Sequence, residues 1–173
     1  MDLSEQDLKK IKSLHVMLKM PIWILERETN RVLKSYKSIY KHPISYEFKE
    51  KNISDEVVRF YSGMLNEIFL CLWYQDVRIV IGAFRINNVT STEFSHVYDN
   101  LTPENKKILS EKECWEYYSS LPVYPLGDIR DYLILLGFLF DMNLEEIYSE
   151  ELHKQVTENQ LELVWKSAED TEI

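Results

Sequence analysis

Ile68-Phe69-Leu70-Cys71-Leu72-Trp73-Tyr74, Gln75-Asp76 and Val77-Arg78-Ile79-Val80-Ile81-Gly82-Ala83-Phe84 follow one another in the chain, and their reading decides the fold. The first and third runs are dominated by β-branched and aromatic residues, which fit a pleated, half-buried surface. Two residues between them leave room only for a tight hairpin connection, although the usual glycine is missing. The first run is apolar at odd and even positions alike, so both of its faces are expected to be buried in a central strand. Arg78 interrupts an otherwise apolar partner. Gly82 inside a strand pattern marks a bulge or a close backbone approach.

Working outward, residues 22–26 and 31–36 read as a second hairpin, with Trp23 in its first strand and Glu28-Thr29-Asn30 as the turn. Residues 44–48 read as one more short strand. Residues 54–65 read as a helix capped by Ser54, with Val57, Val58, Tyr61 and Leu65 on its inner side. Residues 4–20 form an amphipathic helix with Leu8, Ile11, Leu14 and Leu18 on one face. Ser4 and Asp7 make a capping box at its start, and Pro21 stops it. From Thr92 onward the pattern is helical. Thr102-Pro103-Glu104 opens one helix, and residues 111–119 form another. After a proline-containing break, residues 128–142 form an apolar helix bearing Ile129, Leu133, Leu136 and Phe140. This order predicts an α+β fold, an antiparallel sheet with helices to one side, PAS/GAF-like in arrangement. Residues 1–142 make the domain, and residues 143–173 an acidic amphipathic helix that serves as a connector.

The chain has 173 residues, 45% of them hydrophobic, enough for one packed core. Its four glycines and five prolines are too few for a sandwich or barrel of many short strands. No apolar run approaches the roughly 20 residues of a membrane span, and the acidic, polar N-terminus is no secretory signal. Two cysteines set no disulfide framework, so a cytoplasmic protein is expected. Of the net charge of −9, residues 143–173 carry −7, from nine acidic and two basic residues. The remainder is nearly balanced and holds no basic stripe, which argues against direct contact with nucleic acid or an anionic membrane.

No sign of catalysis emerges. His15, His42, His96 and His153 share no metal-ligand spacing with one another or with a cysteine, so no metal or cofactor is expected. Glycine clusters that cradle phosphates and Gly-x-Ser-x-Gly elbows are absent. Cys71 and Cys114 lie in apolar patterns and read as buried structural thiols. The strand aromatics are the stronger lead. Trp23, Trp73 and Phe84, with Arg78 as the anchor for an anionic group, form a candidate ligand-binding set. The competing reading is that the same aromatics are core and Arg78 is an edge residue. Leu144, Tyr148, Leu152 and Val156 line one stripe that either packs on its own domain or pairs with a second chain. Trp165 would be exposed on a monomer, which points to a dimer or partner contact.

Met20-Pro21-Ile22 after the first helix, Ile81-Gly82-Ala83-Phe84 at the end of the hairpin, and Tyr118-Ser119-Ser120-Leu121-Pro122 before the apolar helix together resemble the N-terminal sensory domain of AraC-type transcription regulators of Gram-positive bacteria. The resemblance spans residues 3–156. In that family the hairpin commonly ends Ile-Gly-Pro-Phe, so Ala83 departs from the pattern. The resemblance implies a PAS- or GAF-like fold, a sensing or dimerising role as a homodimer, and two helix-turn-helix motifs on the C-terminal side. This chain would then be a sensory fragment of the regulator. The other expectation is a stand-alone protein-interaction module acting through residues 143–173.

Overall fold

The computed structural model describes residues 3–29, 31–36 and 58–142. Among these residues five strands form one antiparallel sheet: β1 (Ile22–Glu26), β2 (Val32–Tyr36), β3 (Val58–Ser62), β4 (Ile68–Tyr74) and β5 (Val77–Phe84), in the order β2-β1-β5-β4-β3. Among the described residues five helices accompany them: α1 (Glu5–Leu18), α2 (Ser91–Asp99), α3 (Pro103–Ile108), α4 (Glu111–Ser120) and α5 (Leu126–Phe140). The fold is α+β. The β4–β5 hairpin turns at Gln75-Asp76 as expected, and Gln75 supplies the positive φ (53°) that glycine would normally provide.

The expected helix over residues 54–65 is corrected where the structure describes it. Val58–Ser62 is a strand paired with β4, Val58 opposite Leu72 and Ser62 opposite Ile68. Its alternation is the reason: Val58 and Phe60 enter one core while Tyr61 enters the other. The expected strand at 44–48 and the acidic helix within residues 143–173 lie outside the described residues.

Helices cover both faces of the sheet, not one. Ile22, Ile24, Phe60, Leu70, Ile79 and Ile81 pack against α1 and α5 through Ile11, Leu14, Leu18, Ile129, Leu133 and Leu136. The other face, with Leu25, Tyr61, Phe69, Cys71 and Val80, packs against α2 and α4 through Phe94, Cys114, Tyr117 and Tyr118. A sheet apolar on both sides must be covered twice. β4 and β5 are accordingly buried along nearly all their length.

The helix ends are fixed locally. At α1, the Ser4 hydroxyl accepts from the Asp7 amide at 3.1 Å and the Asp7 carboxylate accepts from the Ser4 amide at 3.2 Å. The Tyr74 hydroxyl donates to the same carboxylate at 2.9 Å, tying α1 to the end of β4. Burial raises the Asp7 pKa, but these hydrogen bonds outweigh it and hold the carboxyl below its usual range. At the other end of α1 the Tyr124 hydroxyl donates to the Leu18 carbonyl at 2.8 Å, joining α1 to the chain entering α5.

Gly82 sits at a bulge. Ile68 pairs with Phe84 and Phe69 with Gly82, so Ala83 is the extra residue. A Cβ on Gly82 would stand 2.9 Å from the Ile68 carbonyl oxygen and 2.7 Å from the Phe69 ring, so the close approach read from the sequence is also present. The extra residue reverses the parity of everything beyond it. Val80 and Ala83 face α4, whereas Phe84 faces α5.

Candidate functional site

Arg78, Trp73 and Trp23 lie on the face of the sheet that carries α2 and α4, at the end formed by the β4–β5 hairpin. Trp73 is directly opposite Arg78, which is opposite Leu25 on β1. One row further in, Arg59, Cys71, Val80 and Trp23 stand side by side across β3, β4, β5 and β1. Antiparallel partners share a face, so the pairing alone brings three of the four proposed ligand residues together.

The cluster is cationic. The Arg78 guanidinium carbon stands 4.3 Å from the centre of the Trp73 ring, and that of Arg27, just beyond β1, stands 4.4 Å from it. Guanidinium stacks on an aromatic face, and its planar fork matches the geometry of a carboxylate or phosphate. Arg78 is 5% exposed and Trp73 8%, whereas Arg27 lies at the surface and Arg59 and Trp23 are half-buried. Charge therefore runs from solvent at Arg27 to a desolvated guanidinium at Arg78. Trp23 adds an apolar wall, its ring centred 6.4 Å from that of Phe69.

Phe84 does not belong to this set. The bulge turns it to the opposite face, where it meets the edge of Tyr124 at 5.9 Å. With Leu18, Met20, Ile129 and Leu136 it borders an apolar cavity of about 30 Å³. Ligand sites usually enclose roughly 300 Å³ or more. Phe84 is core. Leu144, Tyr148, Leu152, Val156 and Trp165 lie outside the described residues.

Arg27 and Arg59 escaped the sequence reading. The parity of Trp23 and Leu25 points to Arg27, whereas Arg59 was hidden by the helix assigned to its segment. Two further buried charges were missed, Glu67 before β4 and Arg85 after β5, at 1% and 8% exposure.

Cys71 and Cys114 are buried and unbridged. Burial pushes both thiols up, Cys114 to about 12 with the Glu113 charge adding to the effect. The folded protein is expected to show no reaction with a thiol reagent at pH 8 over minutes, and two thiols after unfolding. Rapid native labelling of either cysteine would contradict this packing. The His15 Nδ1 lies 2.7 Å from the Met20 carbonyl oxygen, closing the turn after α1. Among the described residues, no three His, Cys, Asp or Glu side chains are placed to hold a metal ion, and no helix is long and apolar enough to cross a membrane.

The chain matches no protein-family model, no curated protein and no solved structure.

Proposed function

We propose that this chain is a PAS/GAF-like regulatory domain that binds an oxyanion-bearing small molecule at Arg78, Trp73 and Trp23, without catalysing a reaction. The observation that carries this reading is the pair of guanidiniums, Arg27 and Arg78, over one tryptophan ring on a rigid sheet. Guanidinium forks match carboxylate and phosphate geometry, and a neighbouring indole favours a ligand with a flat apolar body. The sequence resemblance to AraC-type sensory domains supports a cytoplasmic homodimer that controls helix-turn-helix domains, which would make the DNA contacts. In this role the ligand would shift the population of two arrangements of the C-terminal segment.

A second reading is favoured by Phe138, which is 82% exposed on α5, shortly before the acidic apolar-striped segment 143–173. There the chain is a protein-interaction module whose partner contacts are Leu144, Tyr148, Leu152, Val156 and Trp165.

A thermal-shift screen with aromatic carboxylates, phosphorylated metabolites and inorganic phosphate tests the first reading. A ligand at a hundred times its Kd raises stability by about 2.7 kcal/mol. Arg78→Ala is expected to weaken that ligand by about 30-fold or more, the equivalent of roughly 2 kcal/mol for a lost charged hydrogen-bond donor. Arg78→Lys should recover only part of it. Unchanged affinity in Arg78→Ala would remove the anchor role, and no shift with any anion would promote the interaction reading.

A further inference from the structure

At the end of β4 opposite the tryptophan–arginine cluster, the turn joining β3 to β4 is built around a buried carboxyl. The Gly63 amide donates to the Glu67 carbonyl at 2.7 Å and the Asn66 amide to the Gly63 carbonyl at 3.1 Å, with Asn66 in the left-handed region at φ 64°. The Glu67 side chain folds back over this turn and accepts from the Leu65 amide at 2.9 Å. It occupies the space above Gly63, where a Cβ would overlap the carboxyl group. Glycine is therefore required there for the fold-back, not for backbone freedom.

The same turn is the seat of the helical layer above it. Leu65 is fully buried in the core shared with α2 and α4. The Asn105 side-chain Nδ2 of α3 donates to the Met64 sulfur at 3.1 Å. The titratable groups bearing on the carboxyl are Cys114 and Tyr118 of α4, each of which feels its charge. Tyr118 also lies under the Arg85 guanidinium at 5.3 Å, but that cation donates to the carbonyls of Ser119 and Leu121. Among the described residues no cationic side chain forms an ion pair with Glu67. An uncompensated carboxylate in such a place is costly, whereas the neutral acid is not.

We propose that the β3–β4 turn is a proton-operated latch: protonated Glu67 holds the turn closed beneath α3 and α4, and loss of that proton loosens the turn from the helical layer. Burial raises the carboxyl to about 7, against the opposing pull of the Leu65 and Glu67 amides. The folded state thus binds the proton more tightly than the opened one, whose carboxyl has the ordinary value of 4.5. Closure is complete below pH 4.5, weakens as pH rises, and reaches its floor once pH passes about 7. The opening equilibrium rises roughly tenfold per pH unit across that window, on the order of 300-fold in all. The latch senses protons at a place and by a chemistry separate from the Arg78 site, so neither idea depends on the other.

The test follows the Glu67 carboxyl by carbon-13 NMR from pH 4 to pH 9, with amide exchange at Leu65 corrected for intrinsic rates and Trp115 fluorescence as a reporter on α4. The expected result is a carboxyl midpoint near 7, opening at Leu65 that climbs through the window and levels above it, and a flat profile in Glu67→Gln. A carboxyl that titrates below pH 5, or the same slope in Glu67→Gln, would overturn the proposal. Should the glutamine variant not fold, the wild-type carboxyl titration and its match to the Leu65 opening curve decide alone.

Discussion

Phe69→Ala is expected to lower the unfolding free energy by about 3–5 kcal/mol, read from urea denaturation followed by far-UV circular dichroism. Phe69 is fully buried on β4 in the face covered by α2 and α4. Its ring fills the space that Gly82 leaves open on β5, with a ring carbon 2.7 Å from where a Cβ would stand, and Tyr61 is its partner on β3. The Trp23 ring is a neighbour, its centre 6.4 Å from that of Phe69. Truncation leaves a hole between paired strands, and strands held by a hydrogen-bond ladder cannot close over it. The cost is therefore the transfer of the ring plus an unrelaxed cavity, near the upper end for such changes. The indole of Trp23 should become more solvated at the same time, shifting native fluorescence to longer wavelength. A loss below about 1 kcal/mol with unchanged fluorescence would mean that the second sheet face is not packed in this way.

The sheet was legible because both runs of the 68–84 hairpin state their period and their connection within a few residues. The caps at Ser4 and Thr102 were legible for the same reason: a cap is chemistry between residues two or three apart. Features that depend on partners far along the chain were not. Val57, Val58, Tyr61 and Leu65 recur at helical spacing, and only pairing with β4 shows that Val58–Ser62 is a strand. The apolar character of both faces of Ile68–Tyr74 already implied two helical layers, yet the element order alone pointed to one. Phe84 was grouped with Trp73 as an aromatic on a strand of the same hairpin. One extra residue at Ala83 undoes that grouping, and a bulge seen as a glycine in a sequence does not announce which side chains it reverses. Within the site, Arg78 and Trp73 were readable as hairpin partners, whereas Arg59 became visible only with the register of β3. Glu67 carries no local signature. A glutamate beside an apolar run usually lies in solvent, and here Gly63 gives it room to fold inward.

Arg85→Ala is expected to cost about 2–4 kcal/mol, because this side chain closes the end of α4. Its Nε donates to the Leu121 carbonyl at 3.1 Å, and Nη2 donates to Leu121 at 2.9 Å and to Ser119 at 3.2 Å. The last carbonyls of a helix have no partner within it, and a cation there also complements the negative end of the dipole. The backbone of the same residue bonds to Pro122 and Tyr124 at 2.8 and 2.7 Å, so one position fastens the sheet, the end of α4 and the entry to α5. Alanine keeps the backbone bonds but leaves the buried Leu121 carbonyl and the part-buried Ser119 carbonyl without these donors, and it removes the guanidinium over Tyr118. Lysine restores the charge without the planar fork, so Arg85→Lys should recover less than half of the loss. Equilibrium denaturation of the three proteins measures this order directly. The loss should appear chiefly as faster unfolding if the α4–α5 junction docks late on the sheet. Equal stability of the lysine and wild-type proteins would show that the charge at the helix end matters and the fork does not. Equal stability of all three would show that water satisfies these carbonyls as well as Arg85 does.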